Sequence, residues 1–449
     1  MRRRPMPPAL ASFRRWLPLG LVLSPACSSK EIAIPSPGME ERDGGAILAQ
    51  DASIDSGETD AGDAVPPAPY DFSVQCASAP CVVQIAARGG AHACAVLRDG
   101  TVRCWGANRS GQLGPGLEDS GPISHYETRP RRVIGVADVT AVAATGHGNT
   151  GTTCVVAGQG AVACFGSDVW GQLGRASGAD DAPHPEAALI DGLRAKSIAL
   201  ANTFALAIAT DGRLWSWGMN DALQLASADP TAGPSTPPSR ADRVDDPVRS
   251  CAGTSSNGFA LTANGDVLSW GGRTSEQLGR NSSAAPTPIP GRLALSEVSS
   301  VAAGAAHACA VGGGRVHCWG QNEHGQLGTG TRAEELFPDS ALLPERAYAV
   351  AVAAGGDDTC VITADGDVYC WGANDGGQLG VPAGRDRSIP SRIDGLGGPA
   401  VALAVMDEAI CALLRSGSVE CWGDNLFGQL GRGSRDAEVH VAPAPVTLE

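Results

Sequence analysis

Lysine is almost absent from this chain, which has only Lys30 and Lys196 among 449 residues. Neither lysine follows a GxxxxG stretch, and this excludes a phosphate-binding P-loop. The GxSxG and HExxH motifs are also missing, so the sequence has neither a serine-hydrolase elbow nor a zinc-protease helix. Aromatic residues make up only 4% and charged residues 18%, whereas glycine occurs 59 times, which favours a turn-rich protein over a helical one. The net charge of −15 argues against a nucleic-acid partner.

The beginning of the chain has the layout of an export signal. Five arginines precede the apolar run Trp16–Leu23, which is too short to span a bilayer, and small residues follow it. Cys27 then resembles the lipidated first residue of a mature bacterial lipoprotein, although such signals usually carry Leu where this chain has Ser24. We expect residues 1–26 to be a signal peptide and Cys27 to carry lipid; the alternative is a soluble secreted product.

Residues 27–72 are predicted to be a disordered acidic linker. Between Glu40 and Asp63 there are eight acidic residues against one arginine, and Pro, Gly and Ser are frequent around them. A segment of this composition cannot bury enough apolar surface to fold. The linker would hold a folded body away from a membrane surface.

One pattern recurs seven times in the rest of the chain. The dipeptide WG occurs at Trp105, Trp217, Trp270, Trp319, Trp371 and Trp422, with Phe165-Gly166 standing in once. The tetrapeptide GQLG begins at 111, 171, 325, 377 and 428, with SEQLG at 275–279 and ALQLA at 222–226 in the other two units. The units are about 50 to 60 residues apart, which is typical of a repeat architecture.

Each unit contains short apolar runs rich in Val, Ile and Ala, and a Pro-rich connection follows them. Runs of this length, punctuated by Gly, indicate buried strands. Seven sheets of about four strands repeated radially make a β-propeller. We therefore predict an all-β fold in which residues 73–449 form a seven-bladed propeller, with the tail 439–449 as a candidate extra strand for the first blade.

The consensus H-x-C-A-L-x-x-D-G-x-V-x-C-W-G-x-N-x-x-G-Q-L-G resembles the repeat of the regulator-of-chromosome-condensation family. The resemblance covers all seven units and implies a seven-bladed propeller. It is closer to the exported bacterial branch of that family, with a lipoprotein signal, than to the nuclear exchange factor. For that branch it implies binding of a target across one face. Residues that recur in every unit, such as Trp105, Gln112 and Leu113, are expected to serve the scaffold.

Ten cysteines form pairs whose members are nine or ten positions apart. The pairs are Cys94 with Cys104, Cys154 with Cys164, Cys309 with Cys318, Cys360 with Cys370, and Cys411 with Cys421. In the third and fourth units both members are missing together, and the aligned positions are Leu206 and Ser216, and Phe259 and Ser269. A three-residue turn such as Arg98-Asp99-Gly100 would place the paired cysteines opposite each other, within reach of a disulfide.

Zinc binding and redox chemistry are the rival roles for these cysteines, but both commonly use CxxC, which the chain lacks. We therefore predict five cross-hairpin disulfides and no metal site. Cys76 and Cys81 are predicted to close a small loop, and Cys251 to be a buried free thiol.

Two groups of residues are candidates for a function. Loops between the first two strands of their units carry a predicted polar cluster at the mouth of the channel, comprising His92, Asp357, Asp358, Asp407 and Glu408. A cation site or an acid/base pair there would suit an enzyme, whereas solvated loop residues are the plainer interpretation. The variable connections carry residues that could anchor a partner, namely His125, Tyr126 and Phe337.

The sequence thus favours an exported, lipid-anchored propeller of the cell envelope that binds a protein partner through loops on one face. We expect a monomer without catalytic activity, cofactor or nucleic-acid partner, which meets the membrane only through its lipid. A secreted form is the alternative for its location. A cell-wall or polysaccharide binder, and an enzyme that uses the acidic loop residues, are the alternatives for its function.

The lipid attachment can be tested by the substitution Cys27→Ala. We expect the wild-type chain to fractionate with membranes and its mature N-terminal peptide to carry an acyl mass, because the thiol is the attachment point. The variant should lose both properties, while Cys251→Ala should keep them. A wild-type N-terminal peptide without added mass would contradict the prediction.

Overall fold

The computed structural model describes residues 70–115, 124–175, 178–227, 233, 235–273, 276–282 and 286–448, all within one unit, Val65–Glu449. The predicted signal peptide, Cys27 and the linker up to residue 69 lie outside the described residues. Within them the chain is almost entirely strand and turn, with a short 3-10 turn at Gly158–Gly160. No helix in this described part is long and apolar enough to cross a membrane.

The short apolar runs form strands in six antiparallel sheets. The first sheet comprises β1 (Val82–Ala86), β2 (His92–Leu97), β3 (Val102–Ala107) and β4 (Tyr126–Arg132). The second comprises β5 (Ala141–His147), β6 (Thr150–Ala157), β7 (Ala161–Asp168), β8 (Asp180–Leu200), β9 (Phe204–Ala209), β10 (Leu214–Gly218) and β11 (Thr236–Arg240).

Four further sheets have four strands each, in sequence order. They comprise β12 (Val248–Gly253), β13 (Asn257–Thr262), β14 (Val267–Gly271) and β15 (Thr287–Arg292); then β16 (Val298–Ala303), β17 (His307–Gly312), β18 (Arg315–Gly320) and β19 (Glu335–Ser340). The last two comprise β20 (Ala349–Gly355), β21 (Asp358–Thr363), β22 (Val368–Gly372) and β23 (Arg387–Arg392); then β24 (Ala400–Val405), β25 (Ala409–Leu414), β26 (Val419–Gly423) and β27 (His440–Pro445).

The second and third units share a strand, which corrects the prediction of seven separate sheets. The shared strand, β8, is 21 residues long. Residues Asp180 to Arg194 pair with β7, and Ala195 to Leu200 pair with β9. The outer strand of the second unit therefore continues into the inner strand of the third, and the two units merge into one seven-stranded sheet.

The structure contains the cross-hairpin disulfides that the spacing predicts, and each joins directly opposed residues of two neighbouring strands. The bonds join Cys94 to Cys104, Cys154 to Cys164, Cys309 to Cys318, Cys360 to Cys370, and Cys411 to Cys421. Their Cα–Cα distances are 4.1 Å. This is slightly below both the roughly 4.5 Å typical of opposed residues that are not hydrogen-bonded and the range of about 4.4–6.8 Å usual for disulfides.

The fifth unit keeps its disulfide although its two cysteines are only nine positions apart. Gly313 and Gly314 both have positive φ, as a two-residue hairpin turn requires. Cys309 therefore remains opposite Cys318. In the second and sixth units the spacing is ten, and there Cys154 faces Cys164 and Cys360 faces Cys370 in the same way.

The hydrophobic core is divided among the interfaces between units. Seven clusters of buried apolar side chains occur in the described residues, and each takes its members from two consecutive units. One of them joins the last unit to the first, with Trp105 packed among residues such as Met406, Leu430 and Val446. The core therefore runs around a closed ring and does not end at the last repeat.

A hydrogen bond between units accompanies each buried tryptophan of the WG motif. The indole Nε1 donates to the main-chain carbonyl of the glutamine in the preceding unit, with N···O distances of 2.8 to 3.0 Å. The pairs are Trp217–Gln172, Trp270–Gln224, Trp319–Gln277, Trp371–Gln326, Trp422–Gln378 and, across the closure of the ring, Trp105–Gln429. The predicted scaffold role of Trp105 and its equivalents is confirmed.

The chain enters the ring through a segment that we call the clasp, residues 70–82. Main-chain hydrogen bonds join the clasp to the turn between β25 and β26, in the last unit, through Arg415, Ser416 and Gly417. The Tyr70 hydroxyl donates to Ala400 O (2.6 Å), and the Cys76–Cys81 disulfide lies within the clasp. Ordered contacts therefore begin three residues before the predicted start of the propeller at residue 73.

The tail does not pair with the first sheet as expected. Its strand β27 pairs with β26 and completes the sheet of the last unit. The register explains this, because Cys421 faces Ala444 and Gly423 faces His440 along a strand whose outer edge is otherwise open. The tail therefore meets the first unit through side-chain packing, as Val446 does in the cluster around Trp105, and not as a strand of the first sheet.

We predict that mild reductant will open Cys76–Cys81 before the other disulfides of the native chain. Cys76 is partly exposed, whereas all ten cysteines of the cross-hairpin bonds are 0% exposed. After free thiols are blocked, native reduction followed by alkylation and peptide mass analysis should label Cys76 and Cys81 alone. Denaturation before reduction should label all twelve cysteines of the six bonds.

A double variant, Cys76→Ala with Cys81→Ala, is the control and should show no label under native conditions. Equal labelling of any cross-hairpin pair before denaturation would show that these bonds are not protected by burial.

Candidate functional site

The loop between β1 and β2 lies across the axis of the ring. It is one residue longer than the loop of the fifth unit, because Ala86 pairs with Cys94 whereas the equivalent Ala302 pairs with Cys309. Gly89 and Gly90 in this loop both have a φ of 60°, and a Cβ on either would lie within 2.9 Å of Gly146. Glycine at these two positions lets the loop approach the second unit.

Main-chain hydrogen bonds hold this loop to the units on both sides of the first. Gly89 N donates to Val405 O (2.9 Å) of the seventh unit, and Asp407 N donates to Gly90 O (3.0 Å). On the other side, Gly146 N of the second unit donates to Arg88 O (3.2 Å). The loop therefore adds main-chain hydrogen bonds across the closure of the ring to those of the clasp and of Trp105.

The side chain of Arg88 continues across the axis to the opposite units. Nε donates to Ala303 O (2.7 Å), while Nη2 donates to Gly304 O (2.6 Å) and Gly253 O (2.5 Å). Nη1 lies 3.1 Å from Asn202 Oδ1. Burial lowers the pKa of Arg88 to about 10, and the negative charge of Asp407 opposes this shift. The guanidinium therefore stays charged at neutral pH.

A cavity of about 200 Å³ lies beside Arg88 on the axis. The inner strands of the first six units line it, largely with alanine. Cys251 lies in its wall as a free thiol, as predicted, but it is half-buried and not fully buried, because it borders the cavity. Removal from bulk water raises its pKa to about 12, so the thiol stays protonated at neutral pH. The cavity is thus a mainly apolar space with one cationic group in its wall.

His92 does not lie in the predicted channel-mouth cluster, because its side chain is 0% exposed between the first two units. Its Nε2 lies 3.0 Å from Thr153 Oγ1, and the Thr153 hydroxyl donates its single proton to Gln112 O (2.8 Å). His92 must therefore donate from Nε2. The same chain of hydrogen bonds recurs further along the ring with His307, Thr359 and Gln326. Burial lowers the pKa of His92 to about 4, so this ring is neutral.

Asp358 also lies outside the predicted channel-mouth cluster. It pairs with Gly372 just as His92 pairs with Gly106, and its side chain is 0% exposed. Oδ2 accepts a hydrogen bond from Gln378 Nε2 (3.1 Å), whereas Oδ1 has no partner among the described residues. Burial raises the pKa of Asp358 well above its usual range, and the nearby negative charges of Asp357 and Asp407 raise it further.

The other three predicted residues, Asp357, Asp407 and Glu408, do lie together at one edge of the sheets. Hydrogen bonds from Ala373 N to Asp357 O and from Asp424 N to Glu408 O join their loops to the segments that follow WG. The two kinds of loop therefore share one face of the ring. We call the carboxylates gathered there the acidic arc: Glu323, Asp357, Asp375, Asp386, Asp407, Glu408 and Asp424.

Negative charge in the acidic arc is only partly neutralised. Asp386 is paired with His324 (3.1 Å) and Arg332 (3.3 Å). Burial raises the pKa of Glu408, and the carboxylates of Asp424, Asp375 and Asp407 raise it further. The pKa of Asp357 is raised by burial and by neighbouring carboxylates, against a smaller opposing effect of His324.

The candidate partner-binding residues lie in different places. His125 is exposed, but Tyr126 is half-buried beneath the Arg435 guanidinium, 4.3 Å from the ring centroid. Phe337 lies on the outer strand β19 and precedes a proline, just as Ile289 and Ile389 do on the outer strands of the adjacent units. All three are at least half exposed. Phe337 is therefore one member of an apolar rim.

No group of three or more potential metal ligands occurs among the described residues. His92 and Asp358 are enclosed, so they are not available as an acid/base pair for a substrate. The arrangement suits the binding of positively charged groups by the carboxylates of the acidic arc on one face. Sequence reasoning missed Arg88, for which the extra residue in the first loop was the available signal. It also missed four members of the arc, namely Glu323, Asp375, Asp386 and Asp424.

We predict that Asp358→Asn will stabilise the fold at neutral pH. A carboxyl whose folded pKa is raised contributes its stability below the unfolded pKa of about 4 and loses it as the pH rises through the folded value. The amide has no such ionisation, and Asn257 already occupies the equivalent position in the fourth unit, where its Nδ2 donates to Gly272 O (2.5 Å). The expected gain at pH 8 is about 1–3 kcal/mol.

Urea unfolding between pH 5 and pH 8 would measure this effect, and the variant should show the smaller loss on raising the pH. Asp365→Asn, in an exposed hairpin turn, is the control and should leave the unfolding free energy unchanged. A lower stability of Asp358→Asn at pH 8 would mean that Asp358 is ionised and usefully paired.

Comparison with known proteins agrees with this architecture. Residues 150–449 match the model of the RCC1-like domain, and residues 82–112 match the model of the regulator of chromosome condensation (RCC1) repeat. Two solved structures have similar folds: human WBSCR16, with a TM-score of 0.66 and 22% identity, covering 78% of this chain and 95% of that one, and Prp20p from Saccharomyces cerevisiae, with a TM-score of 0.65 and 20% identity, covering 78% and 87%. At these identities the structures show the fold alone.

Curated relatives match over part of their length. The ultraviolet-B receptor UVR8 of Arabidopsis thaliana is 31% identical over 252 residues, which are 55% of this chain and 56% of the receptor. The E3 ubiquitin-protein ligase HERC2 of Homo sapiens is 31% identical over 294 residues, 63% of this chain but 6% of the ligase. The chain thus spans about half of one relative and a small part of the other. Because the family model matches well over half of its residues, this chain belongs to the RCC1-like domain family.

Proposed function

We propose that this chain is an exported, lipid-anchored, seven-bladed propeller that binds a protein partner outside the cytoplasm. The partner would carry a basic surface and would dock on the face that bears the acidic arc. Seven buried clusters, each between two consecutive units, support the blade count, because the long strand β8 serves both the second and the third unit. Export and lipid attachment rest on the N-terminal sequence, which ends in Cys27.

The observation that carries the proposal is the negative charge that remains in the acidic arc beyond the pairing of Asp386 with Arg332 and His324. Carboxylates that raise one another's pKa are held close together against their mutual repulsion. Lysine and arginine side chains of a partner would relieve that repulsion and would be attracted over a distance of about a Debye length. The arc therefore favours a basic partner over an acidic one.

Related structures give a precedent for protein binding by this fold. The structure of Prp20p from Saccharomyces cerevisiae is described together with its binding properties to Gsp1p and histones, and another structure shows Kap60 bound to yeast RCC1. These partners belong to those proteins. They support the kind of function proposed here, without identifying the partner of this chain.

The test compares two sets of three substitutions that remove the same number of charges. The arc variant is Glu323→Gln, Asp375→Asn and Glu408→Gln, three exposed positions on the arc face. The control variant is Asp211→Asn, Asp365→Asn and Asp394→Asn, three exposed positions at the opposite edge. We expect recovery of the partner from envelope extract to fall about tenfold with the arc variant and to stay unchanged with the control.

Salt provides an independent measurement of the same interaction. Raising NaCl from about 0.05 to 0.3 M should release the partner from wild-type protein, because screening weakens contacts between exposed charges. Equal recovery with the arc variant, or retention that does not respond to salt, would count against the acidic arc as the binding surface. It would leave the fold and its family membership untouched.

Polysaccharide binding is the second candidate, and Trp170 is the observation that favours it. This residue precedes GQLG in the second unit, on the same face as the acidic arc, and is 37% exposed. Exposed aromatic rings stack on apolar faces of ligands. Loss of sedimentation with cell-wall material in Trp170→Ala, with unchanged recovery of protein partners, would favour this function.

A further inference from the structure

Arg88 differs from every other residue that lines the axial cavity in the described part of the chain. The remaining lining residues are small or apolar, among them Ala144, Ala199 and Ala302, and Arg88 is the charged one. The groups that accept hydrogen bonds from its guanidinium are mostly main-chain carbonyls of three other units.

These carbonyls converge because of where the inner strands end. Leu200, Gly253 and Ala303 are the last residues of β8, β12 and β16. β12 and β16 have a neighbour on one side only, and the Ala195–Leu200 part of β8 pairs with β9 alone. The free edge of each of these inner segments turns unpaired carbonyls toward the axis. Buried carbonyls without donors are unfavourable, and the axis therefore attracts a group that can donate several hydrogen bonds at once.

A guanidinium fits this requirement better than an ammonium or a metal ion. It is planar, always charged and offers five N–H groups in a fixed fork. In this ring all three of its nitrogens have acceptors, which include Asn202 Oδ1 as well as the carbonyls. An ammonium is a single point of charge, whereas two nitrogens of the fork share these carbonyls, Nε bonding Ala303 O and Nη2 bonding Gly253 O and Gly304 O.

We propose that the axis of the ring is a guanidinium-binding site built from the inner-strand carbonyls and Asn202, and that Arg88 is its built-in occupant. The site links the first unit to the third, fourth and fifth, none of which is its neighbour in the ring. Stability in repeat proteins is approximately a sum over neighbouring units. Arg88 adds contacts between units that are not adjacent in the ring. These contacts make the unfolding of the ring cooperative.

Removal of the occupant and its replacement by a small molecule test the site. Arg88→Ala in the full, oxidised chain should lower the Tm by about 5–10 °C, because it leaves the carbonyls without donors. Ethylguanidinium at a concentration of about 10 mM should restore roughly half of the lost Tm, as expected for a millimolar ligand that refills the site. The wild-type Tm should not rise, because its site is already filled.

Three controls separate the site from general effects of charge. Ethylammonium and NaCl at the same ionic strength should not restore the Tm of Arg88→Ala. Arg213→Ala removes an arginine whose side chain is 56% exposed, and its Tm should neither fall nor respond to ethylguanidinium. Arg88→Lys retains the positive charge without the fork, and its Tm should stay below that of the wild type.

Two results would overturn the proposal. One is a Tm of Arg88→Ala that responds to ethylguanidinium no more than to NaCl. The other is full stability of Arg88→Lys, which would mean that charge alone is needed at the axis. If Arg88→Ala does not fold, the yield of native monomer on dilution from urea, with and without ethylguanidinium, becomes the readout with the same expectations. Neither of the two overturning results would bear on partner binding by the acidic arc, which its own substitutions test.

Discussion

The rest of the structure depends on a hydrogen bond between units, accepted by the carbonyl of the glutamine in GQLG. In most units that glutamine also binds its own loop, since its Oε1 accepts a main-chain N–H two residues earlier, as Gln378 does from Gly376 (2.9 Å). One residue thus fixes the loop and positions the next unit. Where Phe165 replaces the tryptophan, Gln112 O keeps the hydrogen bond from the Thr153 hydroxyl, whereas Gln326 O accepts from both Thr359 and Trp371. The carbonyl acceptor is thus used in every unit, in agreement with the presence of this glutamine in all seven units, including the two in which GQLG is altered.

Repeated and unrepeated residues have separate tasks in this protein. The repeated residues and the disulfides build equivalent interfaces between units. By themselves they would give every unit the same surface, and no unit would offer a partner a distinct site. The unrepeated ones create asymmetry: Arg88 occurs in the first unit alone, and the acidic arc extends over the fifth, sixth and seventh. A rigid ring with a charged sector on one face is a suitable scaffold for orienting a partner, because few side chains there must be ordered on binding.

The sequence allowed the strands, the hairpin registers and the disulfides to be predicted, because a period of two and a turn length decide which residues face each other. Leu206 opposite Ser216 is as clear a result of this rule as Cys94 opposite Cys104. The candidate site was harder to predict. His92 and Asp358 were placed in solvent because loop position does not reveal which way a side chain turns, and both are enclosed. Arg88 was missed because its partners are carbonyls, which every residue has and no sequence pattern distinguishes.

The clasp has a mechanical consequence. Any pull on the chain from the N-terminal side reaches Tyr70 and the turn at Arg415 in the last unit before it reaches β1 in the first. Three main-chain hydrogen bonds and the Cys76–Cys81 bond lie along that path, so the load is shared across the place where the two ends of the ring meet. Tension would then load the contacts between the clasp and the last unit before it reaches the innermost strand of the first sheet.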